Sequence, residues 1–170
     1  AAPFLQQYYE LWEQFWSSRV FESEWYQVWA TAESRSSYLT FNDQRYLLEI
    51  TKEDVAEARS LIELAVAHAE TNEQKTRAEI LLHSFELYEA AALSYPHNDL
   101  VDVPADEEAA LELLQDIKIS VEMAAKRYAL MEEFSGHPVL DVFGRPRGEW
   151  NGVQRFHFNA LMEYVENEPE

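Results

Sequence analysis

The sequence predicts an all-α fold of five or six helices packed like a bundle, with a long loop near the C-terminus that contains glycine and proline. Apolar residues recur at helical spacing over most of the chain, and helix-capping patterns precede several of these repeats. All four glycines fall between residues 136 and 152, so that stretch is not expected to be regular helix. Nothing in the chain alternates strand and helix as a barrel does.

Two helices are predicted at the N-terminal end, over residues 3–18 and 20–33. Pro3 suits the first turn of a helix, because its missing N–H has no partner there in any case. The first helix is indicated by aromatic side chains at every fourth position, namely Phe4, Tyr8, Trp12 and Trp16. The second is indicated by apolar residues at helical spacing, namely Phe21, Trp25, Val28 and Trp29. The pattern over Arg45–Ile50 does not decide between helix and loop.

The next two helices form a predicted antiparallel hairpin. Thr51 followed by Asp54, and Thr71 followed by Gln74, match the capping box in which two side chains satisfy backbone N–H groups at a helix start. Pro96 ends the second of these helices. Their predicted buried stripes are Val55, Ala58, Leu61, Ile62, Ala65, Val66 and Ala69 on one helix, and Ala78, Leu81, Leu82, Phe85, Tyr88 and Ala92 on the other.

A loop at 96–104 then leads to a long predicted helix over 105–134. Acidic residues in its first turn suit the positive end of the helix dipole, and Gly136 stands where a left-handed residue ends a helix. A further helix is predicted at 153–166, and the tail 167–170 is expected to be disordered. The predicted stripe of the long helix is Ala109, Leu113, Leu114, Ile117, Val121, Ala124, Tyr128 and Met131.

Composition excludes several classes of function. The 170 residues are expected to form one domain. A net charge of -19 argues against binding to nucleic acid or anionic lipid, since both need a basic footprint. The chain has no run of 18 apolar residues, so no membrane span is predicted. It also has no cysteine, so disulfides and zinc sites with thiolate ligands are excluded. The opening Ala1–Phe4 resembles neither a signal peptide nor a natural start, and favours an excised piece or a mature form.

No catalytic motif emerges from the sequence. The five histidines show no metal-binding spacing, and with 32 acidic residues a carboxylate pair arises by chance on any helical surface. No glycine-rich phosphate loop precedes a helix, and no serine nucleophile motif is present. We therefore predict that this chain alone is not an enzyme and needs no metal or cofactor.

Aromatic residues at the N-terminal end are the strongest candidates for function. Of the 23 aromatic residues, 13 lie within the first 50. The cluster fits three interpretations: ordinary core, a docking surface for a domain absent from this chain, or a platform on which sugar rings stack. The Gly/Pro loop fits either the polar edge of such a surface or a long connecting loop pinned by Trp150. The candidate contact residues are Trp12, Trp16, Trp25, Trp29, Arg145, Arg147 and Trp150.

Three segments resemble the C-terminal helical part of a bacterial family of large, uncharacterised, glycosidase-like proteins. They are YYELWEQFW at 8–16, ITKEDVAEARSLIELA at 50–65 and EEFSGHPVLDVFGRPRGEWNG at 132–152. The family is a domain of unknown function in the TIM-barrel glycoside hydrolase group, related to alpha-glucuronidases and beta-hexosaminidases. In it, too, a long helix is followed by a similar "PVL" turn and an aromatic-Gly-Trp segment.

The resemblance implies a non-catalytic accessory module of a carbohydrate-active protein. The module would pack on an upstream catalytic barrel of the same polypeptide, or line its cleft, in an extracellular or cell-envelope protein. The barrel and its acids would lie outside this chain, so no catalytic residue is carried over. Polysaccharide is a further expected partner. The alternative is a free-standing helical domain whose aromatic face grips a partner helix.

Overall fold

The computed structural model describes residues 1–33, 44–95 and 104–141. Within these ranges the chain forms five α-helices and no strand, which confirms the predicted all-α, bundle-like fold. A π-helical turn at Trp16–Val20 follows the first helix, and a short 3-10 helix at Arg45–Glu49 precedes the third. The helices are α1 (Ala2–Phe15), α2 (Glu24–Thr31), α3 (Lys52–Ala67), α4 (Asn72–Ser94) and α5 (Glu107–Glu133).

Four of these helices pack side by side, α1 on α3, α3 on α4 and α4 on α5. The ring of Phe4 lies 4.9 Å from that of His68, and Arg19 pairs with Asp54, so α1 runs antiparallel to α3. Helices α3 and α4 form the predicted hairpin. The predicted helix 3–18 is shorter than expected, because α1 gives way to the π turn after Phe15.

Capping explains where α3 and α4 begin. Thr51 and Asp54 form the predicted capping box: the Thr51 hydroxyl accepts the Asp54 N–H at 3.2 Å, and the Asp54 carboxylate accepts the Thr51 N–H at 2.8 Å. The second box is half formed. Thr71 accepts the N–H of Gln74 at 3.2 Å, but the Gln74 side chain accepts from the N–H of Glu70.

Helix α4 lies at the centre, because it is buried on two sides. One face joins the larger core with residues of α3 and with Leu47 of the 3-10 helix. The other face packs against α5 through Leu87 and Ala90, which the single predicted stripe of α4 did not include. The larger core consists of Leu47, Val55, Ala58, Ile62, Phe85, Ala91, Ala92 and Tyr95.

The predicted stripe of α5 is wrong at two of its eight positions. Leu114 and Tyr128, both expected in the core, are exposed, whereas Leu130 and the completely buried Arg127 lie inside. The reason is that α5 carries apolar residues on two adjacent faces, so its periodicity alone does not select one. Its contact with α4 buries the face that contains Leu130, which packs with Leu87 and Ala90 of α4.

A buried carboxylate joins three helices at what we call the Glu89 junction, made of Arg59 (α3), Glu89 (α4) and Lys126 (α5). The Arg59 side chain pairs with both oxygens of Glu89, with its Nε 2.6 Å from Oε1. Lys126 Nζ lies 3.0 Å from Oε2. Burial alone would raise the pKa of Glu89, but these hydrogen bonds outweigh it and hold the pKa below its ordinary value.

The segment after α5 folds back onto the bundle. Gly136 adopts a φ of 76°, the left-handed conformation predicted for it. The Nδ1 atom of His137 accepts the N–H groups of Val139 at 3.1 Å and Leu140 at 2.9 Å. Leu140 is buried in a second core cluster with Leu87, Ala90, Leu130 and Phe134.

Several predictions lie outside the described residues. They concern the Gly/Pro loop beyond Asp141, the helix at 153–166, the tail 167–170 and most of the loop at 96–104.

Candidate docking surface

An unbroken series of aromatic rings runs along α1, the π turn and α2, and we call it the aromatic ladder. Consecutive ring centroids lie between 5.0 and 6.2 Å apart, within the range of favourable edge-to-face and tilted contacts. The ladder consists, in order of contact, of Tyr9, Tyr8, Trp12, Phe15, Trp16, Phe21, Tyr26 and Trp29.

The inner side of the ladder belongs to the core. Phe15 is buried, and Tyr8 and Trp12 pack against the larger core, where the ring of Tyr8 meets that of Phe85 at 6.0 Å. Burial raises the pKa of Tyr8 to about 12, because the charged phenolate loses its hydration there. The core interpretation of the cluster therefore holds for these rings.

The outer side of the ladder faces solvent. The exposed fraction is 56% for Tyr9, 42% for Phe21 and 63% for Val28, which lies between the ring-bearing residues of α2. Isolated exposed apolar residues are common on any protein, but Tyr9 and Phe21 belong to the ladder and Val28 lies on the helix that carries its last members. Together with the half-buried rings of Trp25, Tyr26 and Trp29, they form what we call the aromatic surface.

The π turn sets the direction in which the chain leaves α1. Both Phe15 and Val20 are buried, although they stand five positions apart in the chain. In a regular α-helix, residues five apart point about 140° away from each other. A turn closed by the bond from Phe21 N–H to the Trp16 carbonyl, at 3.0 Å, brings both side chains to the core. The predicted second helix, 20–33, accordingly begins only at Glu24, after the cap of Ser23.

Arg19 fastens the π turn to the bundle. Its Nη2 lies 2.6 Å from Oδ1 of Asp54, its Nη1 donates to the Glu49 carbonyl at 3.2 Å, and its guanidinium stacks 5.0 Å over the ring of Phe15. Partial burial would raise the pKa of Asp54, but the bonds from Arg19 and Thr51 outweigh this and lower it. Asp54 therefore caps α3 and anchors the turn at once.

Trp25 fixes one side of α2 to the 3-10 helix. Its Nε1 donates to Oε1 of Glu49 at 3.0 Å, and the guanidinium of Arg45 lies 4.8 Å over its ring. Nearby, the ring of Tyr46 lies 5.3 Å from that of Trp16, and burial raises the pKa of Tyr46. One face of Trp25 is thus already occupied by a cation of the same chain.

Helix α2 has an unusual composition for its position. Its eight residues include Trp25, Tyr26, Val28 and Trp29, yet none of its side chains is buried. Its N-terminus is capped by Ser23, whose hydroxyl accepts the N–H of Tyr26 at 3.4 Å. Such a helix is held by edge contacts and its cap: its three rings are partly covered, and Val28 is exposed.

The structure brings together the four predicted tryptophans, Trp12, Trp16, Trp25 and Trp29, each half-buried in or beside the ladder. The other candidates, Arg145, Arg147 and Trp150, lie outside the described residues. Sequence reasoning missed Arg19, Arg45 and Glu49, which organise the surface. A usable signal existed for Arg19, the single Lys or Arg among the first 33 residues.

The described residues contain no group of three or more His, Asp or Glu side chains placed to hold a metal ion. None of the described helices combines the length and the apolar character needed to cross a bilayer. No protein-family model, curated protein or solved structure matches this chain. The interpretation of the surface therefore depends on its own chemistry.

Proposed function

We propose that this chain is a non-catalytic helical module that docks another protein domain through the aromatic surface. The observation that supports this most directly is α2, a helix with two tryptophans, a tyrosine and a valine and no buried side chain. Exposed aromatic groups beside a polar rim are typical of interaction surfaces.

The energetics fit this role. Covering about 100 Å² of apolar area contributes roughly 2.5 kcal/mol, whereas association costs several kcal/mol in lost freedom before any net affinity appears. Tyr9, Phe21 and Val28, together with the uncovered parts of the rings beside them, are the apolar groups that a partner would cover. The helix cap of Ser23 and the bond from Trp25 to Glu49 keep α2 in place before a partner arrives.

The resemblance to glycosidase-like proteins suggests which partner to test first, namely an upstream catalytic barrel. On that proposal the chain is an accessory module of a carbohydrate-active protein and packs on an upstream catalytic barrel of the same polypeptide, outside the cell or in its envelope. The alternative is a free-standing interaction domain whose partner is a separate protein. The sequence that precedes Ala1 distinguishes the two.

The test places a photo-crosslinking amino acid at position 28, with a matched probe at Leu111, which is comparably exposed on α5. We expect the probe at position 28, in cells of the natural host or in the full polypeptide, to capture a discrete protein segment that the probe at 111 does not. The variant Tyr9→Ser/Phe21→Ser should abolish this capture while keeping the helical circular-dichroism spectrum. Equal capture at both positions, or none at 28, overturns the docking function.

A glycan titration distinguishes protein docking from sugar stacking. Tryptophan fluorescence would be followed while neutral and acidic oligosaccharides are added, including xylan fragments that carry glucuronic acid. The docking function predicts no saturable change. A saturable change that is lost on a single Trp→Ala substitution in the aromatic surface would instead assign the surface to polysaccharide.

A further inference from the structure

We infer that the partner presents a segment bearing arginine and lysine to the aromatic surface, so that its cations lie against exposed apolar side chains beside glutamates. This inference rests on the proposed docking function and names the chemistry of the partner. It follows from three observations: the negative charge of the surface, the two arginines of this chain that already lie over its rings, and the carboxylates beside its exposed apolar side chains.

The charge around the aromatic surface is strongly one-sided. Residues 1–33 contain five glutamates, all exposed, and Arg19 is their single basic residue. Arg19 is engaged by Asp54 and the Glu49 carbonyl, so it does not offset the glutamates at the surface. The five glutamates are Glu10, Glu13, Glu22, Glu24 and Glu33.

The cluster already binds guanidinium groups within its own chain. Arg19 stacks 5.0 Å over Phe15, and Arg45 stacks 4.8 Å over Trp25. Arg19 also meets a carboxylate, so its ring contact and its charge contact occur together. Arg19 is therefore held between a ring face and an acid, a mode of binding that this cluster already uses on its inner side.

The same combination is open on the outer side. Tyr9 and Glu13 stand four residues apart on α1, as do Glu24 and Val28 on α2, so each pair shares one helix face. Both apolar members are exposed, and among the described residues neither carboxylate forms an ion pair. A partner's cation would find at each place an apolar surface for its stem and an acid for its charge.

Charge also decides between possible occupants. A second copy of this chain would bring its own glutamates against these, within a molecule whose net charge is -19. An acidic protein segment or an acidic glycan meets the same repulsion. A basic segment is attracted by the negative charge of this surface, which speeds its association and favours it over acidic partners.

The test uses a short fluorescent peptide in which arginine alternates with leucine, and a second in which citrulline, the neutral isostere, replaces every arginine. We expect the arginine peptide to bind at least about tenfold more tightly, a difference of roughly 1.4 kcal/mol. Raising the salt concentration from about 0.1 M to about 1 M, which shortens the Debye length from about 10 Å to about 3 Å, should remove most of this preference. Equal binding of the two peptides overturns the inference.

Two charge variants make the test specific to the surface. Glu13→Gln/Glu24→Gln should weaken the arginine peptide severalfold, whereas Glu112→Gln/Glu122→Gln, an identical change on exposed positions of α5, should leave its affinity unchanged. Equal weakening by both variants would mean that net charge alone attracts the peptide, and this also overturns the inference.

The outcome is separable from that of the docking function. If the probe at position 28 captures a protein through a neutral or acidic segment, the docking function stands and the basic partner is wrong. If that probe captures nothing, the docking function itself fails.

Discussion

At the scale of single residues, one carboxylate sets the position of several parts of the chain. Glu89 is almost completely buried on α4 and takes hydrogen bonds from Arg59 on α3 and Lys126 on α5. The side chains of both cations remain about a third exposed and keep contact with water, whereas the carboxylate of Glu89 is almost completely shielded from it. Removing the carboxylate therefore leaves two cations that water can still solvate.

We expect Glu89→Gln to lower the free energy of unfolding at neutral pH by roughly 2 kcal/mol. This is less than the 3–5 kcal/mol typical when one member of a fully buried pair is removed, because Arg59 and Lys126 can rehydrate. Urea unfolding followed by circular dichroism measures the loss. Glu57→Gln, the same change at an exposed position of α3, serves as the control and should shift the free energy by less than about 0.5 kcal/mol.

The same junction predicts an acid limit. The folded pKa of Glu89 lies below the ordinary value of 4.5, so its stabilisation is complete above that value and is lost as the pH falls through the folded pKa. The difference in unfolding free energy between wild type and Glu89→Gln should therefore shrink below about pH 4.5. A difference that stays constant from pH 7 into that range would contradict this assignment.

The limits of sequence reasoning are also clear at this scale. Thr51 and Asp54 were predicted because both members of a capping box lie within one turn of each other. The ion pair of Arg19 with the same Asp54 was not, because its members stand far apart in the chain and leave no local pattern. Buried Arg127 was missed for a related reason: its surroundings come from packing, and its residue type is normally exposed.

At the scale of elements, α3 and α4 were the most predictable and α2 the least. Both have local caps, and the predicted stripe of α3 matches its contacts, whereas that of α4 covers one of its two buried faces. The predicted start of α2 was too early because of the π turn, whose hydrogen bond joins residues five apart instead of four. The aromatic residues continue at regular spacing through this turn, so the sequence pattern does not reveal it. The outer rings of the aromatic surface could not be separated from the core by sequence, since both sides use the same residue types.

We expect Ser23→Ala to open α2 without unfolding the bundle. Loss of an N-cap costs about 1 kcal/mol, and α2 has no buried side chain to resist it. Amide exchange within α2 should become faster, while the midpoint of global unfolding changes little. Ser17→Ala, which removes an exposed hydroxyl that donates to the Gln14 carbonyl, should leave exchange in α2 unaltered. Loss of the global midpoint in Ser23→Ala would show that α2 belongs to the cooperative core.

Gly136→Ala should destabilise the C-terminal end of α5 by about 1 kcal/mol, because a left-handed backbone is costly for a residue with a Cβ atom. The new methyl group meets no neighbouring atom within 4 Å, so the cost comes from the backbone alone. Gly136→Asn should cost less, since asparagine tolerates this conformation. Thermal unfolding measures both variants, and equal losses in the two would contradict the backbone explanation.

At the scale of the whole molecule, charge repulsion opposes the compact state. The chain carries 32 acidic and 13 basic residues, so its folded form concentrates negative charge. We expect sodium chloride up to about 0.5 M to raise the urea midpoint, because screening relieves long-range repulsion more than it weakens the buried Glu89 junction. A midpoint that falls over the same range would mean that the ion pairs outweigh the repulsion.

The order in which the helices pack has a consequence for how the chain reaches its fold. The contacts of α3 with α4 and of α4 with α5 join helices that follow one another in the chain, whereas the contact of α1 with α3 spans α2. Contacts between successive helices favour fast folding. The chain can also assemble from its N-terminal end while synthesis continues, each helix docking on one that already exists. Until α5 is synthesised, Glu89 can pair with Arg59 but not with Lys126. The Glu89 junction is therefore completed only when α5 docks on α4.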